Sequence, residues 1–122
     1  MGKRILVVED EEDNRRIMRD LLSASGYQTI EATTGDEGLA TAQREVPDLI
    51  LMDIQLRGLD GYEVTRRIKA DPALRHIPII AVTSYALTGD DQKAFAVGCD
   101  GYVTKPFSPK QLLAKIREYL KQ

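Results

Sequence analysis

The chain has 122 residues, of which 43% are hydrophobic and 30% charged, the size and make-up of one compact globular domain with no room expected for a separate output domain. Its 17 basic and 19 acidic residues leave a net charge of −2, which excludes the general basic field of a nucleic-acid binder. A single cysteine, Cys99, excludes an intrachain disulfide, and no apolar run approaches the roughly 18 residues of a membrane span.

Ile5-Leu6-Val7-Val8 predicts a first strand directly after the amino terminus, with no signal-peptide pattern before it. Five acids follow, Glu9 to Asp13, and either Asp10 or Asp13 could cap the next helix. That helix should bury Ile17, Met18, Leu21 and Leu22 and stop at Gly26. Tyr27 to Ala32 is the weakest strand. Thr34 and Glu37 form a capping box for a second helix, and Leu49-Ile50-Leu51-Met52 is a third strand ending at Asp53. Asp60 caps a third helix whose inner face is Val64 and Ile68, and Asp71-Pro72 ends it. Ile79-Ile80-Ala81-Val82 runs into Thr83-Ser84. Thr88 and Gly98 bracket a fourth helix with Ala94, Phe95 and Val97 as its apolar residues. Cys99, just after it, reads as a small buried hydrophobe. Tyr102-Val103 leads to Thr104-Lys105-Pro106. Ser108, Pro109 and Gln111 open a last helix, with Leu112, Leu113, Ile116 and Leu120 inward.

Five strand–helix repeats with continuous apolar strands imply an α/β fold, a doubly wound five-stranded parallel sheet with helices on both faces. In such sheets sites form at the carboxyl ends of the strands. Those ends carry Glu9-Asp10, Asp53, Thr83 and Lys105. Clustered carboxylates call for a hard divalent cation, and oxygen ligands suit magnesium. A lysine and a hydroxyl suit phosphate oxygens. Together they describe a phosphoryl-transfer site with an aspartate nucleophile. Each residue alone has a plainer reading, as a helix cap, a strand threonine or a solvated lysine; their convergence on one rim decides for the site.

Val8-Glu9-Asp10, Leu51-Met52-Asp53-Ile54, Asp60-Gly61, Val82-Thr83-Ser84 and Lys105-Pro106-Phe107 stand in the order and spacing of a known family. The chain resembles the receiver domain of bacterial two-component response regulators, of the single-domain chemotaxis-regulator type, across residues 1–122. The resemblance implies a strand order of 2-1-3-4-5 and Asp53 as phosphoacceptor. It implies Mg2+ bound directly by Asp10, Asp53 and the backbone carbonyl of Gln55, with Glu9 acting through a water. Lys105 would pair first with the Asp53 carboxylate and then with the phosphoryl group, and a cis Lys105-Pro106 bond would aim it. Thr83 would turn inward onto a phosphoryl oxygen and Tyr102 would follow it. Gln55 and Tyr85 would tune the phosphoryl lifetime. Glu9 replaces an aspartate common in the family, and Arg57 replaces a proline, which should loosen its loop.

The implied donor is a histidine kinase or histidine phosphotransferase, the implied readout a downstream protein target, and the implied compartment the cytoplasm, without nucleic-acid or membrane contact. The domain would accept a phosphoryl group and lose it again without turning over a separate substrate. An alternative is a receiver excised from a larger hybrid kinase or regulator. A flavodoxin-like cofactor binder would need a Gly/Ser/Thr-rich phosphate loop where this chain has Glu9 to Asp13. A small-molecule phosphatase would need a second acid where this chain has Gln55. His76 precedes the fourth strand, so it belongs at the end away from the acids, and Tyr62 and Phe95 read as packing residues.

Overall fold

A computed structural model of the chain describes residues 2–56, 58–83 and 90–120. Arg57, Ser84, Tyr85 and Thr88 therefore lie outside the described residues. The elements alternate throughout: β1 (Arg4–Val8), α1 (Glu12–Ala24), β2 (Gln28–Ala32), α2 (Gly35–Glu45), β3 (Leu49–Asp53), α3 (Gly61–Ala70), β4 (Ile79–Thr83), α4 (Asp90–Ala96), β5 (Gly101–Thr104) and α5 (Pro109–Leu120). The five strands form one parallel sheet in the order β2-β1-β3-β4-β5. Two apolar layers cover its faces. Leu6, Val8, Ile50, Met52, Ile79 and Ala81 pack on one side with Val64 and Ile68 of α3. Ile5, Val7, Leu49, Leu51, Ile80 and Val82 pack on the other with Met18 and Leu22 of α1 and Leu112 and Ile116 of α5. Alternate residues of one strand thus feed opposite cores, which is why the strands read as unbroken apolar runs. No helix among the described residues is long and apolar enough to cross a membrane.

The helix ends follow local chemistry. Thr34 accepts a hydrogen bond from the Glu37 N–H, Asp60 from the Glu63 N–H and Ser108 from the Gln111 N–H. The Glu37 carboxylate returns to the Thr33 N–H, one residue earlier than a strict capping box would have it. Helix α1 departs from expectation. Its cap position is Glu11 and not Asp10 or Asp13, and Glu11 makes no side-chain cap bond; Asp13 pairs with Arg16. Ile17 is also a correction, being 58% exposed. At about 100° per residue it lies about 120° from the centre of the stripe that Met18 and Leu22 define, outside the buried arc. Phe95 does not pack inward either: it is 49% exposed on the seven-residue α4, whose buried apolar residue is Ala94. Cys99 is buried as expected, and Gly26 and Gly98 stand after α1 and α4 with φ of 88° and 111°.

Helix α2 ends without such a glycine. Val46 occupies its C-cap with φ 43°, its N–H donating to Ala42 O. A β-branched residue in the left-handed region is strained by roughly 1–2 kcal/mol, against roughly 0.5–1 kcal/mol of extra chain entropy for glycine. Val46→Gly is therefore expected to leave stability unchanged or raise it by up to about 1 kcal/mol, whereas Ala40→Gly, exposed inside the same helix, should lower it by about 1 kcal/mol. Urea melts of the two variants read out the opposite trends.

Candidate functional site

The parallel register sets Val8 beside Met52, Asp53 beside Val82 and Thr83 beside Thr104. The residues at and just beyond these positions therefore share one rim. The ladder continues past the strand ends: the Glu9 N–H donates to Ala32 O at 3.0 Å, the Ile54 N–H to Val82 O at 3.1 Å and the Lys105 N–H to Thr83 O at 2.7 Å. Sheet hydrogen bonds thus fix the backbone that carries Glu9, Asp53, Thr83 and Lys105. The Asp60-Gly61 pair has a steric reason as well. Asp60 caps α3, and the first turn of that helix lies so close to the Asp53–Ile54 backbone that a Cβ on Gly61 would collide with the Asp53 carbonyl.

Glu9 and Asp53 are almost fully buried, and Asp10 is half-buried. One carboxylate oxygen from each lies within 4.8 Å of the others. Lys105 reaches into this cluster, its Nζ donating to Glu9 Oε1 at 2.5 Å and standing 3.6 Å from Asp53 Oδ2. Its nearer partner is thus Glu9 and not Asp53, which follows from the extra methylene that lets glutamate extend to the ammonium. Backbone donors complete the arrangement: the Glu11 N–H donates to Glu9 Oε2 and the Gln55 N–H to Asp53 Oδ1. The Lys105–Pro106 bond is cis.

One ammonium cannot compensate this many acids. Burial above all, and then the neighbouring Glu9, push the Asp53 carboxyl up to about 7 against the opposing pull of Lys105 and the Gln55 N–H. Burial also acts to raise Glu9, but the hydrogen bonds from Lys105 and Asp53 and the lysine charge outweigh it and hold Glu9 below its ordinary value. Burial would lower Lys105, and its bond to Glu9 and the charge of Asp53 more than reverse that. Glu9 thus takes the charge and Asp53 tends to keep the proton.

Thr83 is buried at the end of β4. Ala81, two residues before it, pairs with Tyr102, so Thr83 and Tyr102 stand diagonally on the same face of neighbouring strands. Tyr102 is half-buried against the α3-side core. His76 lies away from all of this. It is exposed at the amino ends of the strands, beside a cavity of about 280 Å³ that Lys3 and Tyr119 also line.

Two features beside the site had not been anticipated. Arg15 of α1 donates from Nη1 to the Glu9 carbonyl at 2.9 Å; an arginine on a charged helix face gives no sign of this, because the acceptor is a backbone oxygen. Exposed Ile17 borders an apolar cavity of about 290 Å³ that runs past Lys105 to Phe107; the spacing of Ile17 suggested the core, and only its distance from the centre of the stripe distinguishes the two.

Known proteins resemble this chain in sequence and fold. The family described as the response regulator receiver domain matches residues 5–117. The polar-differentiation response regulator DivK of Brucella ovis is 48% identical over 120 residues, which span 98% of each chain. The receiver domain of the sensor histidine kinase PA1611 of Pseudomonas aeruginosa, solved with a magnesium ion coordinated in its active-site cleft, superposes with a TM-score of 0.93 at 35% identity over all of both chains. A CheY-like receiver domain protein of Methanospirillum hungatei gives a TM-score of 0.92 at 33% identity, over 99% of this chain and 95% of that one. The matching strand order, the acids on one rim and the extent of these likenesses agree: the chain belongs to the response-regulator receiver family and is a receiver domain of two-component signalling.

Proposed function

We propose that residues 1–122 act as one receiver unit in which Asp53 accepts a phosphoryl group from the phosphohistidine of a histidine kinase or histidine phosphotransferase. The observation that supports this most is the convergence of Glu9, Asp10 and Asp53 within 4.8 Å with Lys105 Nζ 3.6 Å from the Asp53 carboxylate. In the transfer an Asp53 oxygen attacks phosphorus, the bond to the histidine nitrogen breaks, and an acyl phosphate forms. The ammonium of Lys105 sits where it can meet charge on the phosphoryl oxygens. Thr83 supplies a hydroxyl to one of those oxygens and Tyr102 shifts with it, changing the surface that a downstream protein reads. Water then cleaves the acyl phosphate, returning free Asp53 and inorganic phosphate. Gln55 and Tyr85, flanking the site, set the pace of that loss.

Magnesium fits the donor set. All three side chains offer hard oxygens, and the cluster includes no nitrogen or sulfur ligand. Glu9, Asp10, Asp53 and the backbone carbonyl of Gln55 would hold the ion. When bound, it supplies the positive charge that the clustered carboxylates and a transferring phosphoryl group require. The reading also places the protein in the cytoplasm, working through protein contacts without direct binding of nucleic acid or membrane and without turning over a separate substrate. The likeness to a receiver from a sensor kinase favours a second reading, in which the same unit serves inside a larger hybrid kinase or regulator.

The test is incubation with acetyl phosphate or a phosphorylated kinase, followed by intact-mass measurement. One phosphoryl group should be gained with magnesium and none in chelator, and a gain indifferent to chelator would count against the reading. Two variants separate the roles. Lys105→Ala should slow labelling by on the order of 10²-fold while largely sparing magnesium affinity. Thr83→Ala should still be labelled, but the NMR shifts of the Tyr102 ring should no longer move on phosphorylation. A large loss of magnesium affinity in both would contradict this division.

A further inference from the structure

We infer that Arg15, oriented by Glu31, is a positioning residue that sets the Glu9–Asp10 segment for divalent-cation binding, an inference that rests on the magnesium reading above. Arg15 lies in α1, yet its guanidinium reaches back toward the strand end that precedes the helix. There Nη1 donates to the Glu9 carbonyl at 2.9 Å, and Nε stands 3.5 Å from Glu31 Oε1. Glu31, on β2, is held in turn by Arg19, whose Nη1 donates to both of its carboxylate oxygens at 2.9 and 3.1 Å. The Arg15 side chain is only 15% exposed and that of Glu31 27%, so this is not a freely solvated surface pair.

The consequence for the site follows from peptide geometry. The Glu9 carbonyl and the Asp10 N–H belong to one rigid plane. The Glu9 N–H is already fixed to Ala32 O at 3.0 Å. That bond holds the preceding peptide plane, and binding the carbonyl to Arg15 holds the following one, so both planes that meet at the Glu9 Cα are fixed. The base of Glu9 is then set, and so is the position of the Asp10 Cα from which its side chain starts. Two of the three clustered carboxylates therefore depend on one guanidinium that reaches them through the backbone. Helix stability does not explain the placement, since a cation directed toward a helix amino terminus gains nothing from the helix dipole. The residue type matters as well. The Glu9 carbonyl, just past β1, and the Glu31 carboxylate, on β2, are reached by two nitrogens of one planar guanidinium, one by a hydrogen bond and one by an ion pair, which a lysine cannot reproduce.

Magnesium titration of the full chain by calorimetry, in buffer first cleared with chelator, tests this. Arg15→Met should weaken magnesium binding about tenfold or more, the size typical of lost support behind metal ligands. Arg15→Lys should fall between wild type and Arg15→Met. Glu31→Gln should weaken binding in the same direction by less, and the double variant should be no worse than Arg15→Met alone, because the two act as one unit. Urea melts in chelator separate a plain structural role, which would lower stability and leave the affinity of the folded protein unchanged. Wild-type magnesium affinity in Arg15→Met would overturn the inference; if that variant does not fold, wild-type affinity in Glu31→Gln would do so. If the wild-type chain itself takes up no magnesium, the metal reading fails and carries this inference with it. Wild-type binding with unaffected variants removes the role of Arg15 alone.

Discussion

Asp53→Asn is expected to reduce phosphoprotein formation to background with either acetyl phosphate or a phosphorylated kinase. Asp53 is the acid at the end of the central strand β3, buried to 4% exposure and 3.6 Å from the Lys105 ammonium. An amide oxygen at the same place can still accept the Gln55 N–H, so the local fold should persist, but it is too weak a nucleophile to form an acyl phosphate. Glu9 is a poor substitute, because Lys105 and the Glu11 N–H already occupy its two oxygens. Asp10, half-buried on the same rim, is the other candidate, and peptide mapping of any residual label would identify it. Labelling of Asp53→Asn at the wild-type level would place the acceptor elsewhere and remove the basis of the proposed chemistry.

The same substitution should make the metal-free protein more stable. Two unit charges at the separation found in the carboxylate cluster repel by about 3 kcal/mol at an effective dielectric near 20. Lys105 offsets part of this, leaving an expected gain of about 1–2 kcal/mol for Asp53→Asn in chelator at pH 8. The pH dependence has a definite sign. Burial above all pushes the Asp53 carboxyl from its ordinary value of 3.8 in the unfolded chain up to about 7 in the folded one. Between these values the folded state holds the extra proton, so wild-type stability should fall as pH rises from about 4 to about 7 and stay level above. Glu9 works in the opposite sense, since its lowered folded value contributes stability that is lost only as pH falls below its ordinary value of 4.5. The two windows hardly overlap, so the difference between variant and wild type should open mainly between pH 4 and 7. Magnesium should raise the wild type by mass action, about 2.7 kcal/mol at a hundredfold excess over its dissociation constant, and raise the variant less. Urea melts at several pH values, with and without magnesium, measure all of this; an Asp53→Asn protein clearly less stable than wild type in chelator would contradict a strained cluster.

Much of this architecture is legible because it is written in local chemistry. Thr34, Asp60 and Ser108 stand one residue before their helices and cap them as their side chains allow. Both sheet faces are covered, so β1, β3 and β4 appear as apolar runs with their acids and hydroxyl at the ends. Ambiguity arises where neighbouring residues carry the same signal: five consecutive acids offer several caps for α1, and the position falls to Glu11, which makes no cap bond. Ile17 and Phe95 show a different limit. Periodicity says that a helix has an apolar face but not how wide the buried arc is, and in the short α4 the described side chain that is buried is Ala94. Val46 shows a third. Its left-handed backbone is imposed by the turn from α2 into β3, and nothing in a valine announces it. At the site, residue types predict the membership of the cluster, while the closer approach of Lys105 to Glu9 than to Asp53 depends on side-chain reach in the folded chain.

The ion pair between Lys105 and Glu9 joins residues 96 positions apart, and this has a bearing on synthesis. A ribosome releases the acids well before the lysine. Until residue 105 is made, the three clustered carboxylates lack this ammonium and the sheet lacks β5, the edge strand beside β4. No fragment ending before residue 105 can carry the complete chemistry, however well its first strands have collapsed. If Asp53 receives a phosphoryl group as proposed, full competence for it therefore waits on the last strand and its lysine, and a half-made chain would be labelled slowly at best.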